Sequence, residues 1–402
     1  MAASGALGLP AVGQEALFNS LRNDSLAAQT RSSLEGVAYT ARMGDLRLLV
    51  TPTLTVQGTD NVELQEHGAK SDVFFSPRLD LHAFHPIGQA NILNLDLGIG
   101  YTKYLRTEQL DQLLVVPASS ISFNMSVGEI RFNVHDWFSY QLNPALSGAV
   151  ANTAKFGGIN NSSGVTASWE TEKIQTSLGY DYLRFISDAP GFDYLTRSTH
   201  EMVGRAGLKV HSSATVGLEG STAFTAYDES VLNDNNSYSA GLYADWQVTE
   251  QLHVTPRGGY SLTTFSPNAF LGQPGDYTGY YFGLVAQHKP NDWLAYTLSA
   301  NRHIDPGVEA NLSDIFNVTL AGNWSVIRSF PINTTAFFEH GKQTAGGTPE
   351  LWDRYGGSVG VSWEATQRIT LGLNYSLTFR DSGTAGRDYL LNTLALTLSY
   401  RL

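Results

Sequence analysis

Charged side chains recur on one side of an alternating pattern through much of this 402-residue sequence, and they are the first candidates for chemistry. In an extended strand, every second side chain points to the same face of the sheet. Charges of both signs on one face can form ion pairs or can act as fixed charges along a water-filled path. Eight charged residues meet this condition and are the candidate pore-lining residues: Arg78, Asp96, Arg131, Arg205, Glu219, Asp245, Arg257 and Arg368.

The positions between these polar residues are apolar, most clearly at the end of the chain. The sequence from Arg387 to Leu402 reads RDYLLNTLALTLSYRL, which places Leu394, Leu396 and Leu398 on one face of a strand and small polar residues on the other. A charge on a lipid-facing strand position costs about 2–4 kcal/mol at the membrane midplane, so the charged residues are expected on the inner face. No segment has the roughly 18 consecutive apolar residues of a membrane helix. The pattern predicts an antiparallel transmembrane β-barrel.

Connection lengths support this prediction, because short turns and long loops alternate along the chain. The connection at Glu170–Lys173 is short, for example, whereas the one before it, Gln141–Asn161, is long. Transmembrane barrels have short periplasmic turns and long extracellular loops. We expect about eighteen strands, with sixteen as the alternative. The predicted strands begin near Arg47, Asp72, Asn91, Leu114, Glu129, Ser163, Lys173, Thr199, Ala214, Tyr238, Leu252, Tyr277, Trp293, Ile315, Phe330, Arg354, Arg368 and Asp388.

Two regions follow from this assignment. Residues 45–402 are predicted to form the barrel, and an even strand number places both termini in the periplasm of a Gram-negative bacterium. Residues 1–44 form an N-terminal periplasmic segment, in which Glu15–Leu34 is either a short helix that plugs the barrel or a flexible tail. Met1 is not followed by a basic and then apolar leader, so we expect a mature chain whose export signal has been replaced by a start methionine.

Composition excludes several classes of function. The net charge of −12 argues against nucleic acid as a partner, because phosphate binding needs clustered Lys and Arg. The chain has no cysteine and no HExxH motif, so we expect no metal site. It also has no G-x-S-x-G elbow and no P-loop. We therefore expect neither a cofactor nor an enzyme. Aromatic residues make up 11% of the chain and recur near strand ends, as interfacial girdles do.

Two stretches resemble a known family. They are PTLTVQGTDNVEL (Pro52–Leu64), which runs into SDVFFSPRLDLHAF (Ser71–Phe84), and the later hairpin GEIRFNVHDWFSY. Together they resemble the putative outer-membrane β-barrel porins that are found with exopolysaccharide operons. The resemblance implies a monomeric barrel in outer-membrane lipid that lets a polymer or small solutes cross. One departure is Leu402, since the terminal residue that the barrel-assembly machinery recognises is usually aromatic.

The sequence leaves three hypotheses of function. The first is a channel for hydrophilic solutes, with a secreted polysaccharide as the favoured cargo. The second is a plugged structural or docking barrel that binds a partner protein, and the third is a barrel enzyme. The position of the large apolar loop residues separates the first two, because these side chains either fold over the pore or stay exposed: Phe156, Phe192, Tyr194, Phe270, Leu271 and Leu351.

Some side chains are harder to place from the pattern. The alternation predicts that Phe74, Tyr243 and Tyr281 face inward, where aromatic rings can stack against sugars. The alternation breaks around Trp137, so its side stays open. Prolines within three predicted strands, Pro52, Pro77 and Pro256, indicate bulges or weak local pairing, because proline has no N–H to donate.

Overall fold

The computed structural model describes residues 39–402, apart from residues 89, 269–271 and 328. The predicted helix or plug at Glu15–Leu34 lies outside the described residues. The described residues form these strand segments: β1 Ala41–Met43, β2 Leu46–Thr59, β3 Asp72–Ile87, β4 Asn91–Tyr104, β5 Gln112–Val115, β6 Ser120–Val127, β7 Ile130–Leu142, β8 Gly157–Glu170, β9 Ile174–Ser187, β10 Arg197–His211, β11 Ala214–Tyr227, β12 Asn235–Gln247, β13 Leu252–Phe265, β14 Tyr277–Asn291, β15 Leu294–Pro306, β16 Leu312–Trp324, β17 Ile332–Thr344, β18 Leu351–Glu364, β19 Ile369–Ser382 and β20 Tyr389–Tyr400. Short 3₁₀ turns at Glu108–Leu110, Pro144–Leu146 and Asp193–Leu195 interrupt three of the connections.

These segments form one closed barrel of eighteen antiparallel strands, which confirms the predicted fold and strand number. Sequence neighbours pair in order from β2 onward, and β20 returns to pair with β2. The segments β5 and β6 follow one another in a single strand position between β4 and β7. The alternative of sixteen strands is therefore wrong. Closure leaves no lipid-exposed row of unpaired backbone groups, which a bilayer would not tolerate.

The two ends of the described chain complete the seam between β2 and β20. The pairing of β2 with β20 covers only Thr53–Thr59, and the short strand β1 pairs with β2 beyond it. The Thr40 hydroxyl donates a hydrogen bond to the Leu402 carbonyl oxygen over 2.9 Å, and the Leu402 N–H donates to Val50 over 3.2 Å. The last residue is thus held in the seam even though it is not aromatic.

The outer face is an exposed apolar belt, as the alternation predicts. On β20, Leu394, Leu396 and Leu398 are 51%, 57% and 44% exposed. Between them, Thr397 faces the interior, where its hydroxyl lies 3.2 Å from that of Thr55. An apolar belt that runs around a whole barrel is suited to lipid and not to water. Among the described residues, no helix has the length and apolar character needed to cross a membrane.

Prolines weaken the pairing locally without changing the register. The ladder between β3 and β4 pairs Phe75 with Lys103 and resumes at Arg78, so that Pro77 lies in a gap. A similar gap opposite Pro256 interrupts the ladder between β12 and β13. The same alignment continues on both sides of each gap, so the strands contain weak pairing there and not bulges. This follows from the missing proline N–H.

The largest error in the predicted strand boundaries is at β8, which begins at Gly157 and not near Ser163. The pattern failed because polar side chains occupy the outer face here. Asn161 donates hydrogen bonds to both carboxylate oxygens of Asp136 over 3.1 and 3.0 Å, and Ser163 also donates to this carboxylate. Outward polar residues that hydrogen-bond to one another erase the contrast between the two faces, which is the signal that predicts a strand.

Long and short connections lie at opposite ends of the barrel, which we call the loop end and the turn end. The turn end carries the short connections and both ends of the described barrel. The loop end carries the long connections, including residues 143–156 between β7 and β8 and residues 60–71 between β2 and β3.

Candidate functional site

The connection between β7 and β8 crosses the mouth of the barrel, and we call residues 143–156 the crossing loop. Side chains on β18, on β19 and in the loop that follows β19 donate hydrogen bonds to it, and its Asn152 N–H donates to the Leu64 carbonyl in the loop between β2 and β3 over 3.0 Å. The strand β18 is seven positions from β7 by the shorter way around the ring. A loop that begins on one wall and binds so far around the ring must pass over the interior. The crossing loop therefore narrows the path through the loop end.

Three arginines hold the crossing loop by its backbone, and we call them the arginine clamp. Arg354 donates to the carbonyl oxygen of Ala145 over 3.0 Å, and Arg380 donates to that of Gly148 over 2.8 Å. Arg387 donates to the Ala149 carbonyl over 2.9 Å. The inward positions on β18 and β19 supply the first two arginines, and the loop before β20 supplies the third. Hydrogen bonds from a charged donor are roughly twice as strong as neutral ones.

Three carboxylates balance the three clamp arginines. Glu339 pairs with Arg354 over 2.9 Å and also accepts the Trp352 indole N–H over 3.0 Å. Glu350 lies 2.6 Å from Arg380 and 2.9 Å from Arg387. Arg387 also pairs with Glu309, and the Ser382 hydroxyl donates to Glu350 over 2.7 Å. Arg380 and Glu350 are 0% and 4% exposed, and removing one partner of a buried pair costs about 3–5 kcal/mol.

Gly148 is the point at which the crossing loop comes closest to this cluster. A Cβ atom added there would lie 1.8 Å from Glu339 Oε1 and 2.6 Å from Trp352 Nε1. Both distances are well inside van der Waals contact, and both atoms belong to buried side chains. Only glycine lets the loop backbone approach the clamp this closely.

Apolar side chains from several loops form a cap beside the clamp. Its buried core consists of Ala149, Val150, Leu195, Leu232, Val308 and Trp352. Phe156, Phe192 and Tyr194 pack against this core, and the rings of Phe156 and Phe192 meet edge to face at 5.1 Å. The Tyr194 hydroxyl donates to the Val308 carbonyl over 2.9 Å. Burial, with the nearby Glu309 carboxylate, raises the pKa of the Tyr194 phenol, so it remains a donor.

Three of the four large apolar loop residues that the structure describes fold over the mouth. Phe156, Phe192 and Tyr194 lie in the cap, whereas Leu351 is 47% exposed. Phe270 and Leu271 lie outside the described residues. These three rings pack against the buried core of the cap and are not among the exposed large apolar residues.

Two candidate pore-lining residues meet on the inner wall in one ion pair. Arg205 on β10 lies 2.7 Å from Glu219 on β11, and both are buried. Tyr281 donates to the same Glu219 carboxylate over 3.0 Å, and the Arg205 guanidinium lies 4.8 Å from the centre of the Tyr243 ring. Both tyrosines face inward and lie over wall glycines. A Cβ on Gly241 would be 2.2 Å from the Tyr281 hydroxyl, and one on Gly207 would be 2.4 Å from the Tyr243 hydroxyl.

The other inner-wall candidates lie in small groups of neighbouring side chains. Arg78 pairs with Asp80 over 2.9 Å on the inner face of β3, and Asp96 pairs with His82. Asp245 lies 2.8 Å from His253. Arg257 is inward on β13, where its side chain covers Gly283 and its charge is close enough to interact with Arg205 and Glu219. Because His82 lies on β3 with Arg78 and Asp80, the first two pairs adjoin one another, whereas the Asp245–His253 pair lies on β12 and β13.

Two candidates lie at the turn end. Arg131 is near the start of β7, with its side chain 62% exposed, and pairs with Glu170 over 3.0 Å. Arg368 does not lie on the wall. It is exposed in the turn between β18 and β19, because β19 begins one residue later, at Ile369. The alternation continues through the turn sequence, which is why the pattern alone included Arg368.

The sequence did not single out the residues of the clamp. Arg354 and Arg380 occupy inward positions of the alternation, so their side was predictable, but their common target was not. Trp137 pairs in an unbroken register with Ser120 and Ser162, and its neighbour Phe138 is on the exposed outer face, so Trp137 faces inward. Phe74 also faces inward, with its ring 4.7 Å from that of Tyr104.

No protein-family model matches this sequence, and no curated protein matches it. Solved structures of similar fold include OccK5 (OpdH) of Pseudomonas aeruginosa, at 10% identity over 90% of this chain and 99% of that chain, with a TM-score of 0.49. OccAB3 of Acinetobacter baumannii is 9% identical over 90% of this chain and 100% of its own, also with a TM-score of 0.49. The outer membrane channel DcaP of Acinetobacter baumannii is 9% identical over 91% and 100%, with a TM-score of 0.47. With its eighteen closed strands and its apolar belt, the chain has the fold of an outer-membrane β-barrel.

Proposed function

We propose that this chain is an outer-membrane channel for hydrophilic solutes, and that the crossing loop closes its outer mouth. The observation that carries the proposal is a loop that spans the mouth of a polar-lined barrel and binds the far wall through the arginine clamp. A barrel of about eighteen strands is wide enough for a water-filled path unless side chains or loops fill it. Because long loops are extracellular in such barrels, the proposal places the loop end outside the cell and both termini in the periplasm.

The interior supports passage and not only structure. Inward positions carry ion pairs, hydroxyls and amides, such as Arg78 with Asp80 and Thr55 with Thr397, and Asn374 among them is exposed. Polar groups that face a wet lumen keep their hydration, whereas the same groups in a dry core require complete hydrogen bonding. The path behind the crossing loop is therefore suited to solutes that travel with water.

A secreted polysaccharide is the cargo that we favour within this class. The resemblance of Pro52–Leu64 and Ser71–Phe84 to barrels found with exopolysaccharide operons supports that choice. An extended polymer also fits a channel that opens and closes at one mouth, because only one chain has to pass at a time. Assembly into outer-membrane lipid would proceed through the barrel-assembly machinery, for which the apolar face of β20 is the terminal signal.

A closed structural or docking barrel is the second candidate, and the apolar cap is the observation that favours it. Trp352 is 1% exposed and Val150 is 2% exposed, so part of the mouth is packed as tightly as a protein core. On this alternative the cap is permanent, and the loop end binds a partner protein. No catalytic role is proposed for any residue.

Replacement of the crossing loop separates the two candidates. Residues 143–156 would be replaced by a short Gly-Ser turn, and the variant and the wild type would be compared by single-channel recording in a planar bilayer. A gated channel gives rare or small openings in the wild type and large, steady conductance in the variant. A matched control replaces residues 105–111, a loop-end connection whose hydrogen bonds join Asp72 and Tyr104. Silence in a folded crossing-loop variant would contradict the channel proposal and favour the structural barrel.

A further inference from the structure

One side of the barrel interior carries hydroxyl and amide groups and no fixed charge. Between the arginine clamp and the last rows at the turn end, every inward side chain described on β16–β20 and β2 is uncharged. Asn374 on β19 is exposed within this surface, and Ser376 and Thr397 beside it are half-buried, so water reaches them. We call this surface the hydroxyl wall.

Hydroxyls on this wall lie in cross-strand pairs that follow the barrel axis. The hydroxyl oxygens of Thr53 and Ser399 are 3.1 Å apart, and those of Thr55 and Thr397 are 3.2 Å apart. Ser376 and Thr393 form a third pair one strand along. A hydroxyl has one donor and two acceptor positions. The Thr53 hydroxyl also donates to Asp80 over 3.4 Å, so the pair of Thr53 with Ser399 offers only acceptors. The other two pairs each retain a donor and several acceptors that face the lumen. The wall can exchange hydrogen bonds with any group that both donates and accepts.

The inward residues outside the hydroxyl wall include charged side chains, but these charges attract ionic solutes only weakly. The principal charges are paired within the barrel wall, as in Arg205 with Glu219 and Arg78 with Asp80. Paired charges of opposite sign produce a weak field at a distance, because each cancels most of the other. An ionic solute therefore gains little from the fixed charges and must still give up part of its hydration in a narrow path.

We propose that the hydroxyl wall is the track for uncharged, polyhydroxylated solutes, such as sugars and their oligomers. This inference rests on the proposed channel function and names the solute class of that channel. A sugar hydroxyl replaces a water hydrogen bond with an equivalent bond to the wall, and the next hydroxyl pair is in reach as the solute advances. The weak individual bonds allow both binding and release, which conduction requires.

The test compares solutes of similar size and different charge on the reconstituted full-length chain. Liposome swelling would be measured with glucose, gluconate and glucosamine, in the wild type and in the clamp variant Arg380→Met. We expect glucose to enter several-fold faster than either charged analogue. Faster entry of gluconate or of glucosamine would overturn the inference. A chain that is closed to all three solutes and to KCl overturns the channel proposal, and this inference with it.

Deletion of hydroxyls then locates the track. The double variant Thr55→Val and Thr397→Val removes one hydroxyl pair with little change in volume, and we expect current block by maltohexaose to weaken about fivefold while KCl conductance stays unchanged. The matched control is Ser237→Ala with Thr263→Val, whose hydroxyls lie 2.9 Å apart on β12 and β13 outside the hydroxyl wall. The double variant Thr55→Ser and Thr397→Ser keeps both hydroxyls and should retain the current block by maltohexaose. Equal weakening in the control, or an unchanged block in the first variant with KCl current intact, would overturn the hydroxyl wall alone.

Discussion

Replacement of Arg380 by methionine should open the channel. Arg380 is 0% exposed, and its guanidinium makes three contacts. It donates to the Gly148 carbonyl over 2.8 Å and to the Arg387 carbonyl over 2.6 Å, and it pairs with Glu350 over 2.6 Å. Methionine keeps an unbranched apolar stem but has no donor. The crossing loop would lose its central anchor, while the anchors at Ala145 and Ala149 remain.

The size of the effect follows from the bond that is lost. A hydrogen bond from a charged donor contributes about 1.5–3 kcal/mol. Loss of about 2 kcal/mol from the closed state changes the ratio of closed to open molecules by roughly 30-fold, since each 1.4 kcal/mol is a factor of ten. The barrel itself should remain folded, because Glu350 keeps its contacts with Arg387 and with the Ser382 hydroxyl.

Single-channel recording in a planar bilayer measures this ratio directly as the open probability. Arg184→Met is the matched control, because Arg184 also forms an ion pair, with Asp228 over 2.5 Å, but does so on the outer face of β9. A change in gel mobility on heating would show that both variants are folded. An unchanged open probability in folded Arg380→Met, or an equal rise in Arg184→Met, would refute the reasoning.

Three further predictions concern the register, the crossing loop and the interior. Leu396→Arg and Leu398→Arg should block assembly, because each places a charge on the lipid face at a cost of about 2–4 kcal/mol. Thr397→Arg should be tolerated, because this residue is on the inner face. Equal outcomes for the three variants in a heat-modifiability assay would mean that the register is wrong. Gly148→Ala should displace the crossing loop at a cost of about 1–3 kcal/mol and raise the open probability as Arg380→Met does, so a normal open probability would count against the close approach. Glu201→Gln should leave thermal stability unchanged or raise it, because both Glu201 carboxylate oxygens are buried without a hydrogen-bond partner among the described residues. A large fall in the unfolding temperature of Glu201→Gln would show that its charge is needed.

The barrel could be predicted from the sequence because its signals are local. The alternation of apolar and polar residues around Leu394 and Thr397 predicts which face meets lipid. The lengths of the connections predict which end carries the loops. Errors arose where the faces have similar polarity. The start of β8 was misplaced because Asn161 and Ser163 lie on the outer face, where they bind Asp136.

The constriction could not be predicted in the same way, because its contacts join distant parts of the chain. Arg380 and Gly148 are 232 residues apart, and Arg354 and Ala145 are 209 apart. No periodicity links residues at such separations, and the path of the crossing loop depends on the closure of the whole ring. The strand pattern predicts that Arg354 and Arg380 point inward. It does not predict what they bind, because their partners are backbone carbonyl groups of the crossing loop, which have no sequence signature.

The most direct test of the account is access to the lumen from each side. The chain has no cysteine, so Thr378→Cys would place a single thiol on the inner face of β19, two residues from Arg380 toward the turn end. A membrane-impermeant thiol reagent would be added to one side of a planar bilayer at a time while the current is recorded. If the crossing loop closes the mouth, the reagent reacts slowly from the loop end and quickly from the turn end, and Arg380→Met removes the difference. Equally fast reaction from both ends in the otherwise wild-type chain would contradict the claim that this loop closes the channel.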